Sequence, residues 1–296
     1  MLSILIPAYN HDLTDLVKGL RHQATDLAIP YEILIIDDHS EAGFRSRNRA
    51  LTEMSHIRYL QLEENVGRSC IRNMLARKAR FESLLFIDAD ARIVTDNYLS
   101  GYIGFIGSDR VVCGGISYLP DMPGDAAYHL RWHYGRKREE RSAKKRAKDA
   151  YRAFSSFQFL TTRKILELVP FDNDLKDYGH EDTVFGLVLE QQGIPVLHID
   201  NSLLHDGLEP ADKFLDKTRQ GLRNLKFLAE QGRYPGLEQG VRILKKYNSL
   251  TSLGLQPCLK WLYGKGSVWM NKYLKRRKPR LWILDLYKLC YFATLH

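Results

Sequence analysis

The sequence predicts an α/β fold in which a mostly parallel sheet is flanked by helices, followed by a C-terminal helical extension. Short apolar runs alternate with stretches of helical length along residues 2–113. These runs are almost continuously apolar, which is typical of strands buried on both faces of a parallel sheet. From about residue 209 the strand pattern stops, and helical patterns continue to the C-terminus.

Each predicted element follows from its local pattern. Runs rich in Ile, Val and Leu predict strands at residues 2–6, 31–36, 84–87 and 111–113. The stretches between them predict helices at residues 12–27, 43–55, 68–81 and 96–106. The segment GHEDTVFGLVLEQQG predicts a later helix with Val184, Leu187 and Val188 buried. We expect two domains, at residues 1–208 and 209–296.

Composition sets the broad class. A hydrophobic content of 44% in 296 residues is enough for a sizeable core. The opening residues, MLSILIPAYN, lack a basic n-region, and the chain has no apolar run long enough to span a bilayer, so we expect a cytoplasmic protein. The four cysteines form no CxxC pair, which argues against a disulfide framework or a structural zinc site.

The net charge of +9 is concentrated in basic runs at residues 136–148 and 275–280. Such runs fit an anionic partner or an ordinary solvated helix face. The surrounding stretch, residues 131–152, is expected to form either a lid that orders on binding or a solvated helix. The aromatic tail, residues 261–296, fits a packed helical pair or a helix in a membrane interface, and packing is favoured because aromatic stripes at helical spacing are usually core.

Polar clusters follow three of the predicted strands. PAYN follows the first, DDHS the second and DAD the third, and the carboxyl ends of parallel strands meet at one edge of a sheet, where ligands bind. Asp88 and Asp90 leave an extended strand on the same face. Two like charges about 5 Å apart repel by ~1 kcal/mol even in water, so the pair favours a divalent cation between them.

Five segments in order, SILIPAYN, EILIIDDHS, ENVGRSCIRN, FIDADA and GHED, together resemble the family 2 glycosyltransferases of the GT-A fold. The resemblance covers residues 1–207, and the run from GHED to LLHDG is also similar to galactosyltransferase-type catalytic domains. It implies metal-dependent transfer of a sugar from a nucleotide diphosphate, most often uridine diphosphate, to a hydroxyl of a saccharide or glycolipid in polysaccharide or glycan biosynthesis. One base and no second placed carboxylate favour inversion at the anomeric carbon.

The resemblance implies a donor site built from strand ends and one helix start. The backbone of Pro7 and Ala8 and the ring of Tyr9 would surround the base, and such stacking is worth roughly 1–3 kcal/mol. Asp38 would accept a hydrogen bond from the base, although DDHS alone is also typical of a turn. Gly67 would let the backbone approach the ligand.

At the same loop-to-helix junction, Arg68 or Arg72 would face phosphate. The resemblance implies that Asp88 approaches the ribose and that Asp90 ligates Mn²⁺ or Mg²⁺ at the diphosphate. His205 would complete the metal shell, and a carboxylate with an imidazole suits Mn²⁺ better than Mg²⁺. His198 is the rival histidine, and a lone histidine is more often structural.

The GHED motif carries the implied catalytic group. Asp182 would be the general base that draws the proton from the acceptor hydroxyl, while His180 and Glu181 would contact the acceptor. The structural alternative is that acidic residues occupy a first helical turn to meet the helix dipole, and the two readings are compatible.

Other classes fit less well. Dehalogenase-type phosphatases carry their DxD on the opening strand, a nicotinamide-binding protein needs GxGxxG after the first strand, and a nucleotidyltransferase usually begins with a glycine-rich loop. The non-enzyme alternative is a basic module that binds nucleic acid or membrane lipid. For the transferase we expect a nucleotide-sugar donor, a saccharide or glycolipid acceptor and no nucleic acid, and the basic aromatic tail allows peripheral contact with the inner membrane face.

Overall fold

A computed structural model describes residues 1–175 and 179–295 of the chain. The chain divides into two compact units. The first unit comprises residues 1–117, 141–176 and 188–207. The second comprises residues 118–140, 177–187 and 208–296. Two earlier segments thus join the C-terminal helices in the second unit, and the boundary between residues 208 and 209 stays a prediction.

The strands are β1 (Leu2–Ala8), β2 (Tyr31–Asp37), β3 (Ile57–Gln61), β4 (Ser83–Ile87), β5 (Ala91–Arg92), β6 (Val111–Cys113), β7 (Ile116–Ser117), β8 (Gln158–Thr162), β9 (Val196–His198) and β10 (Leu203–His205). The helices are α1 (Thr14–Asp26), α2 (Ala42–Ala50), α3 (Arg68–Lys78), α4 (Ser100–Ile103), α5 (His129–Tyr134), α6 (Ala143–Arg146), α7 (Arg163–Leu168), α8 (Glu181–Gln191), α9 (Ala211–Gln231), α10 (Leu237–Gly240), α11 (Arg242–Ser252), α12 (Gln256–Leu274) and α13 (Leu281–Thr294). Single turns of 3₁₀ or π helix cover Leu51–Glu53, Ala126–Tyr128, Gly135–Glu139 and Ala147–Asp149.

A seven-stranded sheet forms the centre of the first unit, in the order β3-β2-β1-β4-β8-β6-β9. All neighbouring pairs are parallel except those of β8, which runs antiparallel to β4 and β6. A second, three-stranded sheet has the order β5-β10-β7. The prediction of a mostly parallel sheet flanked by helices is therefore confirmed.

The predicted strands β1, β2, β4 and β6 are confirmed, because their apolar runs are buried on both faces. The predicted helices α1, α2 and α3 are also present. The prediction of a helix over residues 96–106 is wrong in extent, since only Ser100–Ile103 are helical. Here Tyr98, Leu99 and Tyr102 point into the core from a chain that turns rather than continuing as a helix.

The second unit has a core of its own. Amphipathic α9 buries Phe214 and Leu215 with Leu284 and Tyr287 of α13. The hydroxyl of the buried Tyr287 is hydrogen-bonded, since Arg219 Nη1 donates to Tyr287 Oη at 2.7 Å. The prediction that the aromatic tail packs on the core is confirmed for α13. It is also confirmed for one side of α12, where Met270 and Leu274 are buried in the same cluster, whereas Trp261 on the other side is 63% exposed.

The basic stretch at residues 131–152 is neither one continuous helix nor fully solvated, because two of its arginines are buried. In the second unit, Arg131 Nη1 donates to Glu139 at 3.0 Å, and its guanidinium lies over the Phe214 ring. In the first unit, Arg146 donates to backbone carbonyls, including Ile199 O at 2.7 Å. The expectation of a solvated helix face is therefore wrong for both residues.

Candidate active site

The loops after β1 and β2 are joined by hydrogen bonds at the carboxyl edge of the sheet. Asp38 N donates to Ala8 O at 2.8 Å, which continues the strand pairing by one residue. Asn10 then links the two loops, donating to Ser40 Oγ at 2.8 Å and accepting from Glu41 N at 2.7 Å. Beside this fixed backbone, the Tyr9 ring is 56% exposed. The ring is therefore accessible to a ligand that stacks on it.

Asp38 connects the second loop to the start of α3. Its two carboxylate oxygens accept from Val66 N at 2.7 Å and from Gly67 N at 3.1 Å. Gly67 adopts φ +83°, a conformation that favours glycine. Burial raises the pKa of Asp38, and these two donors oppose the rise. Each carboxylate oxygen of Asp38 keeps a second lone pair that can accept a further hydrogen bond. A hydrogen bond from a nucleotide base to Asp38 stays a prediction.

Arg72 is buried against Asp88 instead of extending from the surface of α3. Its Nη2 donates to Asp88 Oδ1 at 2.7 Å, and its guanidinium lies 5.5 Å from the centre of the Phe171 ring. Burial raises the pKa of Asp88, and the Arg72 charge opposes this rise. The structure thus uses Arg72 to compensate a carboxylate, while its contact with phosphate stays a prediction.

Asp90 and His205 lie side by side, with Asp90 in the turn between β4, which ends at Ile87, and β5. The prediction that Asp88 and Asp90 leave an extended strand is wrong, because Ala91 N donates to Asp88 O at 3.1 Å and closes a turn there. Ala91 of β5 is the antiparallel partner of His205 in β10, and this register brings His205 Nε2 to 3.5 Å from Asp90 Oδ2. The Phe157 ring stacks on the His205 ring with centroids 5.4 Å apart and an interplanar angle of 21°. Pairing of the backbone and stacking of the ring therefore both hold the imidazole beside the carboxylate.

The Asp90–His205 pair fits a divalent cation. Two atoms that share one ion at about 2.1 Å each lie roughly 3.0–3.5 Å apart, which matches the observed separation. The Asp90 side chain is 34% exposed, so substrate oxygens can reach an ion there. Within residues 1–175 and 179–295, no group of three or more His, Cys, Asp or Glu side chains is suited to hold a metal. Two protein ligands with substrate phosphates completing the shell is a common arrangement for such ions.

Gly207 also belongs to this site. It is the glycine of the LLHDG segment, and the sequence pattern alone predicts no role for it. A Cβ built at Gly207 would collide with the Asp90 carboxylate and lie 2.8 Å from Asp90 Cβ. Phe157 was missed entirely, because a single aromatic before a strand carries no sequence signal of its own.

Gly207→Ala is expected to displace the Asp90 carboxylate and weaken Mn²⁺ binding by about 10- to 100-fold, as changes beside metal ligands typically do. The measurement is Mn²⁺ titration followed by electron paramagnetic resonance. Gly104→Ala is the control, because a Cβ at Gly104 meets no atom within 4 Å, and this variant should bind Mn²⁺ as the wild type does. Gly193→Ala would not serve, because Gly193 has φ +64° and alanine would be strained there. An unchanged affinity in Gly207→Ala would contradict a metal position at Asp90.

The rival histidine, His198, has a structural role. Its Nδ1 lies 2.9 Å from Arg146 Nη1, and its Nε2 lies 2.9 Å from Ala150 O. Burial lowers the pKa of His198. Both ring nitrogens have protein partners, which leaves His205 as the histidine beside Asp90.

The GHED motif belongs to the second unit and begins α8. Gly179 and His180 both have positive φ, at +104° and +74°, so the chain turns sharply before the helix. A Cβ on Gly179 would lie 3.0 Å from the Gly221 Cα of α9, so the turn also requires a small residue. Glu181 Oε2 accepts from Gly179 N at 3.0 Å, and Asp182 is only partly buried in the first turn. The helix is confirmed, with Val184 and Leu187 buried and Val188 half-buried.

His180 should make stability depend on pH. Burial lowers its pKa to about 4 from 6.5. Between these values the unfolded chain binds a proton that the folded protein does not, so stability falls as pH drops through this window, by up to about 1.4 kcal/mol per pH unit. Chemical denaturation at a series of pH values from 7 to 4 measures the free energy of unfolding. Asparagine tolerates positive φ, so His180→Asn should fold and should show a weaker dependence of this free energy on pH. An identical dependence in the variant would assign the effect to other groups.

A family model described as "Glycosyl transferase family 2" matches residues 3–167. No curated protein matches the chain significantly in sequence. Among solved structures, the mannosyltransferase PcManGT from Pyrobaculum calidifontis, in complex with GDP-Man and Mn²⁺, is similar with a TM-score of 0.59 and 15% identity. That match covers 99% of this chain and 85% of the mannosyltransferase.

Two further solved structures match smaller shares of the chain. TarS from S. aureus matches with a TM-score of 0.51 and 18% identity over 76% of this chain. The chain spans 39% of the length of TarS. GalNAc-T7 with UDP, GalNAc and Mn²⁺ matches with a TM-score of 0.51 and 19% identity, over 69% of this chain and 43% of GalNAc-T7. At these identities the likenesses show the fold, which is GT-A.

Proposed function

The chain belongs to glycosyl transferase family 2, and we propose that it transfers a sugar from a nucleotide diphosphate donor to a hydroxyl of a saccharide or glycolipid acceptor, with inversion. The observation that carries the proposal is the Asp90–His205 pair after β4, with the Asp88–Arg72 ion pair beside it in the chain. Polysaccharide or glycan biosynthesis is the corresponding pathway class. PcManGT and GalNAc-T7, each solved with a nucleotide or nucleotide sugar and Mn²⁺, support the donor class.

The donor would bind along the carboxyl edge of the sheet in the first unit. The exposed Tyr9 ring would stack on the base, with the backbone of Pro7 and Ala8 beside it, and Asp38 would accept a hydrogen bond from the base. Asp88 would contact the ribose through the carboxylate that is ion-paired with Arg72. Uridine is the base we expect, since it is the one most often used by the family.

Asp90 and His205 would hold Mn²⁺ or Mg²⁺ beside the donor diphosphate. When bound, the ion neutralises charge on the departing nucleoside diphosphate. Asp90 supplies the charged oxygen ligand, and His205 supplies a nitrogen that Phe157 keeps in place by ring stacking. This carboxylate and imidazole set favours Mn²⁺.

Asp182 would act as the general base. Its position in the first turn of α8 places a carboxylate where the positive end of the helix dipole favours its ionised form. An ionised carboxylate can accept the proton of the acceptor hydroxyl as that oxygen attacks the anomeric carbon. His180 and Glu181 would contact the acceptor from the same turn. A single base and one displacement give inversion.

Calorimetric titration of the purified protein with uridine diphosphate, with and without Mn²⁺, tests the donor proposal. We expect binding that depends on Mn²⁺ and is lost in the Asp88→Ala/Asp90→Ala variant. Guanosine and thymidine diphosphates are the comparison ligands, and the tightest of the three identifies the base. Failure of all three diphosphates to bind would contradict the proposal and favour a basic binding module instead.

A further inference from the structure

Helix α12 presents an exposed face on which large apolar and basic side chains alternate. This α12 outer face consists of Trp261, Lys265, Val268, Trp269 and Lys272. The three apolar members are 63%, 78% and 54% exposed in sequence order, which is unusual for residues of this size. At 3.6 residues per turn all five lie on one side of the helix.

The opposite side of α12 already provides the contacts that hold the helix to the unit. Leu259, Met270 and Leu274 are buried there, and the Tyr263 ring lies 5.7 Å from the Tyr287 ring of α13. The α12 outer face is therefore not needed for packing within the second unit. Helix α12 thus carries an exposed apolar surface in addition to the side that packs in the core.

Charge is strongly one-sided around this surface. Residues 239–284 contain 11 Lys and Arg and no Asp or Glu. The loop after α12, KRRKPR, contains five exposed basic residues, Lys275, Arg276, Arg277, Lys278 and Arg280, of which Lys275 is paired with Asp212 of α9. A surface of this sign is complementary to an anionic partner.

Among anionic partners, a phospholipid surface fits the mixture of side chains best. Tryptophan is enriched where bilayers meet water, and lysine can bury its aliphatic stem while its ammonium group reaches the headgroups. The apolar residues protrude from a convex helix, whereas a peptide partner usually occupies a groove. Within the described residues no helix is long and apolar enough to cross a membrane. The mixture of exposed tryptophan, valine and lysine side chains suits the surface to lie in the interface, with α12 parallel to the membrane plane.

We infer that the α12 outer face, together with the KRRKPR loop, is a docking site for an anionic phospholipid bilayer. Trp261, Val268 and Trp269 would insert at the headgroup boundary, and the surrounding Lys and Arg would bind lipid phosphates. The inference depends on no step of the proposed sugar transfer, and it can be tested without a nucleotide.

Vesicle flotation with the full chain tests the inference. Phosphatidylcholine vesicles that contain phosphatidylglycerol should bind the protein, and pure phosphatidylcholine vesicles should bind it far less. Trp261→Ala/Trp269→Ala should weaken vesicle affinity by about tenfold or more, and Lys265→Gln/Lys272→Gln should weaken it with a reduced dependence on salt. Tryptophan fluorescence should shift to shorter wavelength on vesicle binding, and this shift should diminish in the tryptophan variant.

Two matched variants control for the type of residue and for the other basic run. Phe227→Ala removes an exposed aromatic from α9, and Lys144→Gln/Lys145→Gln removes two exposed charges from the run at residues 136–148. Both should bind vesicles as the wild type does, and all variants should melt at the wild-type temperature because the replaced side chains are exposed.

Three outcomes would overturn the inference. Absence of binding to phosphatidylglycerol vesicles is the first. Wild-type binding by the tryptophan variant is the second. The third is an oligomer seen by light scattering that Trp261→Ala/Trp269→Ala converts to monomer without any vesicle binding, which would make this surface a contact between copies of the chain.

Discussion

Asp182→Asn is expected to lower the turnover number of sugar transfer by about 10²–10⁴-fold while the nucleotide donor binds with unchanged affinity. The amide is nearly isosteric with the carboxylate, so α8 and the turn before it should keep their shape. What the amide lacks is basicity, and without a base the acceptor hydroxyl must attack while still holding its proton. The rate loss should therefore appear in the chemical step rather than in donor binding.

Single-turnover kinetics and calorimetry on the same protein preparation separate these effects. Glu190→Gln is the matched control, because Glu190 is an exposed carboxylate near the other end of the same helix, 3.6 Å from Arg152. It should transfer sugar at the wild-type rate. In wild type the rate should rise with pH as a carboxylate ionises, and Asp182→Asn should lose that dependence. Substantial transfer by Asp182→Asn, or loss of its donor affinity, would contradict the role of general base.

The central strands could be predicted from sequence because a strand buried on both faces is apolar at every position. β2 shows this, since all seven of its residues are buried. β3 is an edge strand whose residues are mostly half-buried, and β8 contains Gln158, so neither has a continuous apolar run. Burial of Gln158 becomes understandable only in three dimensions, where its Oε1 accepts from the hydroxyls of Tyr98 and Tyr102 and its Nε2 donates to backbone carbonyls.

The candidate site shows the same division between local and tertiary information. Asp88 and Asp90 could be identified from their spacing after an apolar run. The position of His205 beside Asp90 could not be predicted from local sequence. The strands that bring them together, β5 and β10, have only two and three residues, and their register depends on the folded sheet. Resemblance to a family supplied His205 where periodicity could not. For Arg72 the prediction was a contact with phosphate, whereas its burial agrees with its place on α3, three residues before buried Leu75 and four before buried Ala76.

Asp90→Ala is expected to weaken Mn²⁺-dependent binding of the nucleoside diphosphate by at least about 100-fold, which corresponds to roughly 3 kcal/mol. The carboxylate is one of the two protein groups proposed to hold the ion, and its removal leaves only the His205 imidazole of that pair. Binding measured without metal should change little, because the proposed contacts to the base and ribose are made by other residues, Tyr9, Asp38 and Asp88. The variant should also lose most of the Mn²⁺ affinity measured by electron paramagnetic resonance.

Asp96→Ala provides the comparison, since Asp96 is an exposed carboxylate a few residues later in the same segment and should bind Mn²⁺ and diphosphate as the wild type does. The expected patterns of the two catalytic variants are opposite: Asp90→Ala should lose donor binding, whereas Asp182→Asn should keep the donor and lose transfer. If Asp90→Ala bound the donor normally and Asp182→Asn did not, the metal and base assignments would both be wrong. His205→Ala refines the test, because removal of a neutral ligand should weaken Mn²⁺ binding less than removal of the charged one.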